Sequence, residues 1–285
     1  MGLAAALLWG ATDFLIGVNA RAVGVKRAVF FSQITGLIVL TTTFALLPSQ
    51  VDKLTSATTI AWGFALIAAA FTISGALAIS KAFMTGKTSI IAPLVTTYGI
   101  FTVLFSWASG ENISSAQLFG IMMCAIGVFL ASSQPENSSG ATASPARKSI
   151  GYALLAAFLY GTSFWIQGKY AIPALGPLAV LWIGYLVGTI VISALILDLN
   201  TPFNVPRPKV LAALCAASLL NLGGFVSFAL GAMNGSLSIV TVISTLSGGV
   251  AAIMGFLILK ERLSTKQVFG TALVLASAIV LHLAK

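Results

Sequence analysis

The chain has 285 residues, of which 58% are hydrophobic and only 7% charged, with a mean hydropathy of +1.04 and a formal net charge of +9. Soluble domains carry about 25% charged residues, so this composition excludes a water-soluble fold. The basic excess does not mark a nucleic-acid binder, because Lys and Arg stand singly, without an aromatic stacking platform or a basic helix face.

A membrane helix needs roughly 20 mainly apolar residues, and the continuous apolar runs favour helices over barrel strands, which alternate over about ten residues. The first predicted span is Gly2 to Ala20. It has no Lys or Arg before Trp9 and is interrupted by Asp13, which reads as a span rather than a secretory signal. An ionised acid at mid-membrane costs about 2.5 to 3.5 kcal/mol on insertion scales. Asp13 is therefore expected to be functional, either as a protonatable site coupling proton movement to a solute or as the counter-charge for a cationic group. The structural alternative is a neutral acid hydrogen-bonded to a neighbouring helix. Arg21, about 12 Å further along at 1.5 Å rise per residue, is expected to reach the membrane surface instead. Trp9 lies one turn before Asp13 on the same face.

The following spans are Ala28 to Leu47, Thr59 to Ser80, Thr88 to Ser109 and Ser114 to Ser132. Pro93 is expected to bend the fourth and to free a backbone carbonyl beside a solute path. Ser132 to Arg147 has the composition of a flexible linker. Beyond it come Ile150 to Gly168, Gly176 to Leu197, Val210 to Ala232, Ser236 to Leu259 and Lys266 to Leu283. Tyr160, Ser163 and Gln167 share one face of the sixth span, and Asn221 and Phe225 one face of the eighth. Thr241, Ser244 or Thr245, and Gly248 mark the ninth, opposite Thr96, Thr97 and Tyr98 of the fourth. The cavity-lining candidates are Asp13, Trp9, Tyr98, Tyr160, Gln167, Asn221, Thr241 and Ser244, although single hydroxyls also serve helix packing in membranes. Lys81, Lys87 and Lys169 are read as headgroup anchors. Cys124 and Cys215 fall inside spans and are read as small buried residues, not a disulfide or metal site. No cofactor or metal is expected.

The chain repeats itself. Glu111-Asn-Ile-Ser-Ser-Ala-Gln-Leu-Phe-Gly120 returns as Glu261-Arg-Leu-Ser-Thr-Lys-Gln-Val-Phe-Gly270, Trp9-Gly10 as Tyr160-Gly161, and Gly86-Lys-Thr-Ser89 as Gly235-Ser-Leu-Ser238. Two five-helix units follow, residues 1–132 and 150–285, joined by a polar linker at 133–149. Glu111 and Glu261 are each expected to face the dipole of the helix starting near Ser114 or Ser264. Asp13 has Phe164 as its repeat partner.

Loops after odd-numbered spans hold twelve basic residues, from Arg21 to Lys266, against three elsewhere, Lys53, Lys169 and Lys285. The positive-inside rule then places the odd loops and the linker in the cytoplasm and both termini outside. The same bias is reversed between the halves, so the expected fold is all-α integral membrane, with ten transmembrane helices as two inverted-topology repeats.

The run Gly86-Lys-Thr-Ser-Ile-Ile-Ala-Pro-Leu94, then Gly110-Glu111 and Phe119-Gly120, resembles the signature of the drug/metabolite transporter superfamily in its EamA-like branch. Trp9-Gly10 followed by Asp13-Phe14 and Gly17 is similar to the first helix of bacterial members. The second half departs from the pattern, with Val242-Ile243 in place of Pro93-Leu94 and Lys260-Glu261 in place of Gly110-Glu111. The resemblance implies ten helices, a central cavity shared by both repeats and transport by alternating access, with relatives that move amino acids, drugs, sugars, nucleotide sugars and other metabolites. It also implies cytoplasmic termini in many members, opposite to the charge count.

The expected function is secondary transport of a small metabolite, amino acid or drug-like solute across the bacterial cytoplasmic membrane, in the export direction and proton-coupled. A flippase for a lipid-linked precursor on the same fold is the alternative. An enzyme is disfavoured: the sequence has no His-Glu-x-x-His, Cys-x-x-Cys or Gly-x-Ser-x-Gly, its sole His is His282, and Gly86-Lys87-Thr88 lacks the earlier Gly of a phosphate loop. The topology is open to direct measurement. In a Cys-free background, Ser139→Cys is expected to resist membrane-impermeant thiol reagents in intact cells and to react after permeabilisation; labelling of intact cells would reverse the orientation.

Overall fold

The computed structural model describes residues 1–47, 54–110, 114–131, 140–197, 205–234, 240 and 243–283. In chain order its helices are α1 (Gly2–Val23), α2 (Val25–Leu46), α3 (Thr59–Thr85), α4 (Thr88–Val95), α5 (Tyr98–Ala108), α6 (Ser115–Ala131), α7 (Gly140–Ile166), α8 (Ile172–Leu175), α9 (Pro177–Leu197), α10 (Pro208–Asn234), α11 (Ser247–Ile258) and α12 (Thr265–Leu283). A π-turn, Gln167–Ala171, joins α7 to α8. There is no strand among the described residues. Among the described residues seven segments are long and apolar enough to cross a membrane, α4 with α5 and α7 with α8 each forming one, and Ser115–Gly127 and Ser247–Ile258 are shorter apolar helices. Residues 140–149, expected in the linker, are helical and extend the sixth span. Glu111, Ser139, Thr241 and Val242 lie outside the described residues.

Local chemistry sets the helix ends. Ser114 and Ser264 each form a reciprocal capping box: the Ser hydroxyl accepts from the Gln117 or Gln267 amide, while the Gln side chain accepts from the Ser amide. This accounts for the Ser and Gln of the repeated decapeptide. Its Phe119 and Phe269 both point outward, 57% and 62% exposed. At the preceding loops Gly110 has φ 98° and Lys260 φ 53°. Both halves thus need the left-handed region where Gly is favoured, and the second half accepts it with a lysine.

The helices pair in a regular way. α3 packs on α7 as α10 packs on α1, α1 on α11 as α7 packs on α5, and α3 on α9 as α10 packs on α2; α2 with α9, α4 with α11, and α6 with α12 meet directly. Small residues allow the close approaches, as expected of helix contacts in a membrane. A Cβ added at Gly10 would lie 2.8 Å from the Ser247 carbonyl oxygen, and one at Gly161 would lie 2.7 Å from that of Tyr98. The repeated aromatic-Gly pair is therefore a packing point in both halves.

The interruption of the fourth span lies just beyond Pro93. α4 runs through Pro93 to Val95, and the chain breaks at Thr96 and Thr97 before α5. An equivalent break falls at Thr245 and Leu246 ahead of α11, where no proline is present. Proline is thus not what both breaks share; their mutual packing is. A Cβ on Gly248 would stand 2.8 Å from Thr96 and 3.0 Å from the Pro93 Cα, and one on Gly99 would stand 3.0 Å from Thr245. Backbone groups are satisfied on the spot, as a membrane interior requires. The Thr96 and Thr97 hydroxyls donate to the Pro93 and Leu94 carbonyls, each at 2.8 Å. Tight turns link Gly99 N to Thr96 O and Gly248 N to Thr245 O.

A polar brace joins the halves at the basic end. Glu261 was expected to serve its own following helix, but its carboxylate instead accepts from the backbone amides of Thr88 (2.9 Å) and Ser89 (2.8 Å), at the start of α4. The Ser89 hydroxyl donates to the same carboxylate. Gly255 leaves the room, since a Cβ there would stand 3.0 Å from the Glu261 oxygen. Arg21 does not simply run out to the surface: its Nη2 donates to the Gly86 carbonyl at 2.9 Å and lies 4.0 Å from Glu261. Lys87 donates to the Arg262 carbonyl at 2.7 Å, and Lys169 to the Ser109 carbonyl at 3.1 Å, so both bind protein carbonyls.

Two stability outcomes follow, each read as the thermal unfolding midpoint in detergent. Gly248→Val forces a side chain against Thr96 and the α4 backbone and is expected to cost roughly 1–3 kcal/mol, whereas Gly63→Ala, with nothing within 4 Å, lowers nothing. Glu261→Gln keeps the shape but loses the charge; with charged hydrogen bonds contributing about 1.5–3 kcal/mol, it lowers the midpoint clearly. Arg21→Gln, acting on a half-exposed pair at 4.0 Å, lowers it much less.

Candidate functional site

Between α1, α2, α3, α7 and α10 lies a cavity with about 90 Å³ open to the centre of a water-sized sphere, enough for several waters or a compact solute. Trp9, Asp13, Tyr98, Tyr160 and Asn221, all predicted from sequence, line it. Its far end reaches Asn19, Ala28 and Ser80, each within two residues of a basic side chain. A second cavity of about 50 Å³ lies towards the opposite helix ends and is lined by Ala65, Thr72, Gln167 and Gly184. Gln33, Ala76, Tyr160, Asn221 and Phe225 line both, and so form the partition between them.

The aromatic wall is fixed by interlocking contacts. Trp9 stacks on Phe164 with ring centroids 5.6 Å apart and meets Phe225 edge-on at 5.1 Å. Its indole N–H donates to the Asn221 carbonyl at 3.2 Å, and Gly224 makes room for the ring, since a Cβ there would lie 2.3 Å from it. Tyr160 stacks on the other side of Phe164 at 6.0 Å. The Asn221 amide donates to the Tyr185 hydroxyl at 3.2 Å. Such pairs contribute about 0.5–1.5 kcal/mol beyond their buried area, which holds the partition in place.

Asp13 differs from all of these. It has no hydrogen-bond or ion-pair partner among the described residues, and it is the only charged side chain lining the cavity.

The other predicted residues divide. Gln167 lines the second cavity, but its amide donates to Ser163 at 2.8 Å, and Ser163 in turn donates to the Ala68 carbonyl and pairs with Thr72. It therefore also ties α7 to α3. Ser244 is fully buried and pairs with the Tyr98 hydroxyl at 2.8 Å, orienting Tyr98 from behind rather than lining the cavity. Pro93 lies against Gly248. Gln33, Asn19 and Tyr185 were missed. Gln33, mid-span on α2, was the readable one; its side-chain oxygen is buried without a hydrogen-bond partner among the described residues. Asn19 was obscured by its closeness to Arg21, and Tyr185 by an otherwise apolar span.

Among the described residues no group of His, Cys, Asp or Glu is arranged to hold a metal ion. The cavity offers a carboxyl, amides and phenols beside aromatic faces, which is the equipment of a binding site.

No curated protein matches the chain. A solved structure described as "Crystal structure of protein" superimposes with a TM-score of 0.72 at 19% identity, covering 99% of this chain and 95% of its own, which establishes a shared fold. The sequence pattern of the EamA-like transporter family matches residues 1–133 and 147–283, one match in each half. With nearly the whole chain covered, this multi-pass membrane protein belongs to the EamA-like transporter family, within the drug/metabolite transporter superfamily.

Proposed function

We propose that the chain is a secondary transporter that exports a small metabolite, amino acid or drug-like solute across the bacterial cytoplasmic membrane by alternating access, in exchange for protons. In this reading ten spans form two five-helix repeats of opposite orientation, and the basic helix ends face the cytoplasm. The reciprocal helix pairing and the matched breaks before α5 and α11 support the repeat. The two cavities meeting at one partition support a path that opens to one side at a time.

The observation that carries the proposal is Asp13, an unpartnered carboxyl in a cavity walled by helices of both halves. A bare charge in that setting is costly, and either a proton or a solute group removes the cost. Mutually exclusive occupancy of one group by a proton and a solute couples the two movements. Exposure of the cavity on alternate sides then turns a proton gradient into solute movement.

Reconstituted protein in vesicles with an imposed pH gradient tests this. Asp13→Asn preserves the shape of the neutral acid and removes titration. It is expected to fold and to reduce gradient-driven accumulation to the level of protein-free vesicles; Asp13→Glu retains more. Undiminished gradient-driven flux in Asp13→Asn would take Asp13 out of the coupling mechanism.

A further inference from the structure

The first cavity is chemically one-sided. Its only formal charge is Asp13, and the nearest basic residue on the same helix, Arg21, is turned to the Gly86 carbonyl and to Glu261. Several polar donors on its wall are already engaged by the protein. The Trp9 indole donates to the Asn221 carbonyl, the Asn19 amide to the Ala213 carbonyl, the Thr12 hydroxyl to the Leu8 carbonyl, and the Asn221 amide to the Tyr185 hydroxyl. A ligand carboxylate or phosphate entering here would meet no basic group and one like charge. The remaining wall presents Trp9, Tyr98, Tyr160 and Phe225, with Phe164 stacked between Trp9 and Tyr160; aromatic rings attract cations.

From this balance we infer that the cavity binds compact monovalent organic cations of the ammonium type, with Asp13 as counter-charge and the aromatic rings as the wall around the cationic head. The inference rests on the transport reading, since it names the solute class of the same cavity. It selects against zwitterions as well as anions, because a zwitterion's carboxylate meets no basic group on this wall.

Three probes of similar size separate the possibilities: choline, a permanent cation; 3,3-dimethyl-1-butanol, its neutral carbon analogue; and glycine betaine, its zwitterionic relative. Binding to the full-length protein in detergent is followed by calorimetry at fixed pH. Choline is expected to bind at least roughly tenfold tighter than either analogue, a difference of about 1.4 kcal/mol and within reach of a carboxylate with aromatic faces. Asp13→Asn abolishes that preference, and Asp13→Glu retains part of it. If Asp13→Asn does not fold, the comparison of probes on the unaltered protein and on Asp13→Glu decides. Equal binding of choline and its neutral analogue, tighter binding of betaine, no choline binding, or an unchanged preference in Asp13→Asn overturns the inference. Vesicle flux is measured in parallel. Flux of a neutral or zwitterionic solute without choline binding overturns the cation assignment and leaves transport standing. Choline binding without flux of any solute supports the cation site while removing the transport reading.

Discussion

The architecture depends on the place where two interrupted helices cross. A helix can break inside hydrocarbon only where its loosened backbone groups find partners in protein, and here each break lies against the other: Gly248 on Thr96 and Pro93, Gly99 on Thr245. Threonine hydroxyls and tight turns satisfy the carbonyls and amides that the α-helical pattern leaves over. From this crossing the rest is positioned. α1 lies on α11 through Gly10, α7 lies on α5 through Gly161, and the aromatic residue preceding each glycine, Trp9 or Tyr160, faces the cavity between them.

The crossing is secured at one end by charge. Glu261 caps the α4 start across the boundary between the halves, so a helix dipole and an acid on different halves share one interaction. The opposite end is tied without a carboxylate: the Trp165 indole donates to the Ser109 hydroxyl at 3.3 Å and the Lys169 ammonium to the Ser109 carbonyl at 3.1 Å.

Much of this was legible in the residues. The all-helical membrane fold followed from composition and run length, and most helix bounds fall within a few residues of those expected. Five cavity residues were found because a large or polar side chain in mid-span stands out against an apolar background. What was not legible required knowledge of which helix faces which. Glu261 sits next to one helix in sequence and serves another in space. Ser244 has the type and spacing of a lining residue, yet lies behind Tyr98. Pro93 drew attention as a helix breaker and the break lies just beyond it, but the matching break at Thr245 and Leu246 has no proline to mark it. The repeated decapeptide was visible at once, but its meaning as a capping box and an outward phenyl, behind a left-handed loop residue, came only with the coordinates.

Asp13 and Phe164 occupy corresponding positions of the two sequence repeats, on α1 and α7, and both line the same chamber. A scaffold with near two-fold pairing thus encloses a space with a distinct head and tail. In the proposed transport cycle a guest with one polar end and one greasy end enters in a single sense, its polar end to α1 and its greasy end to α7, and keeps that heading like a compass needle while the walls move past it.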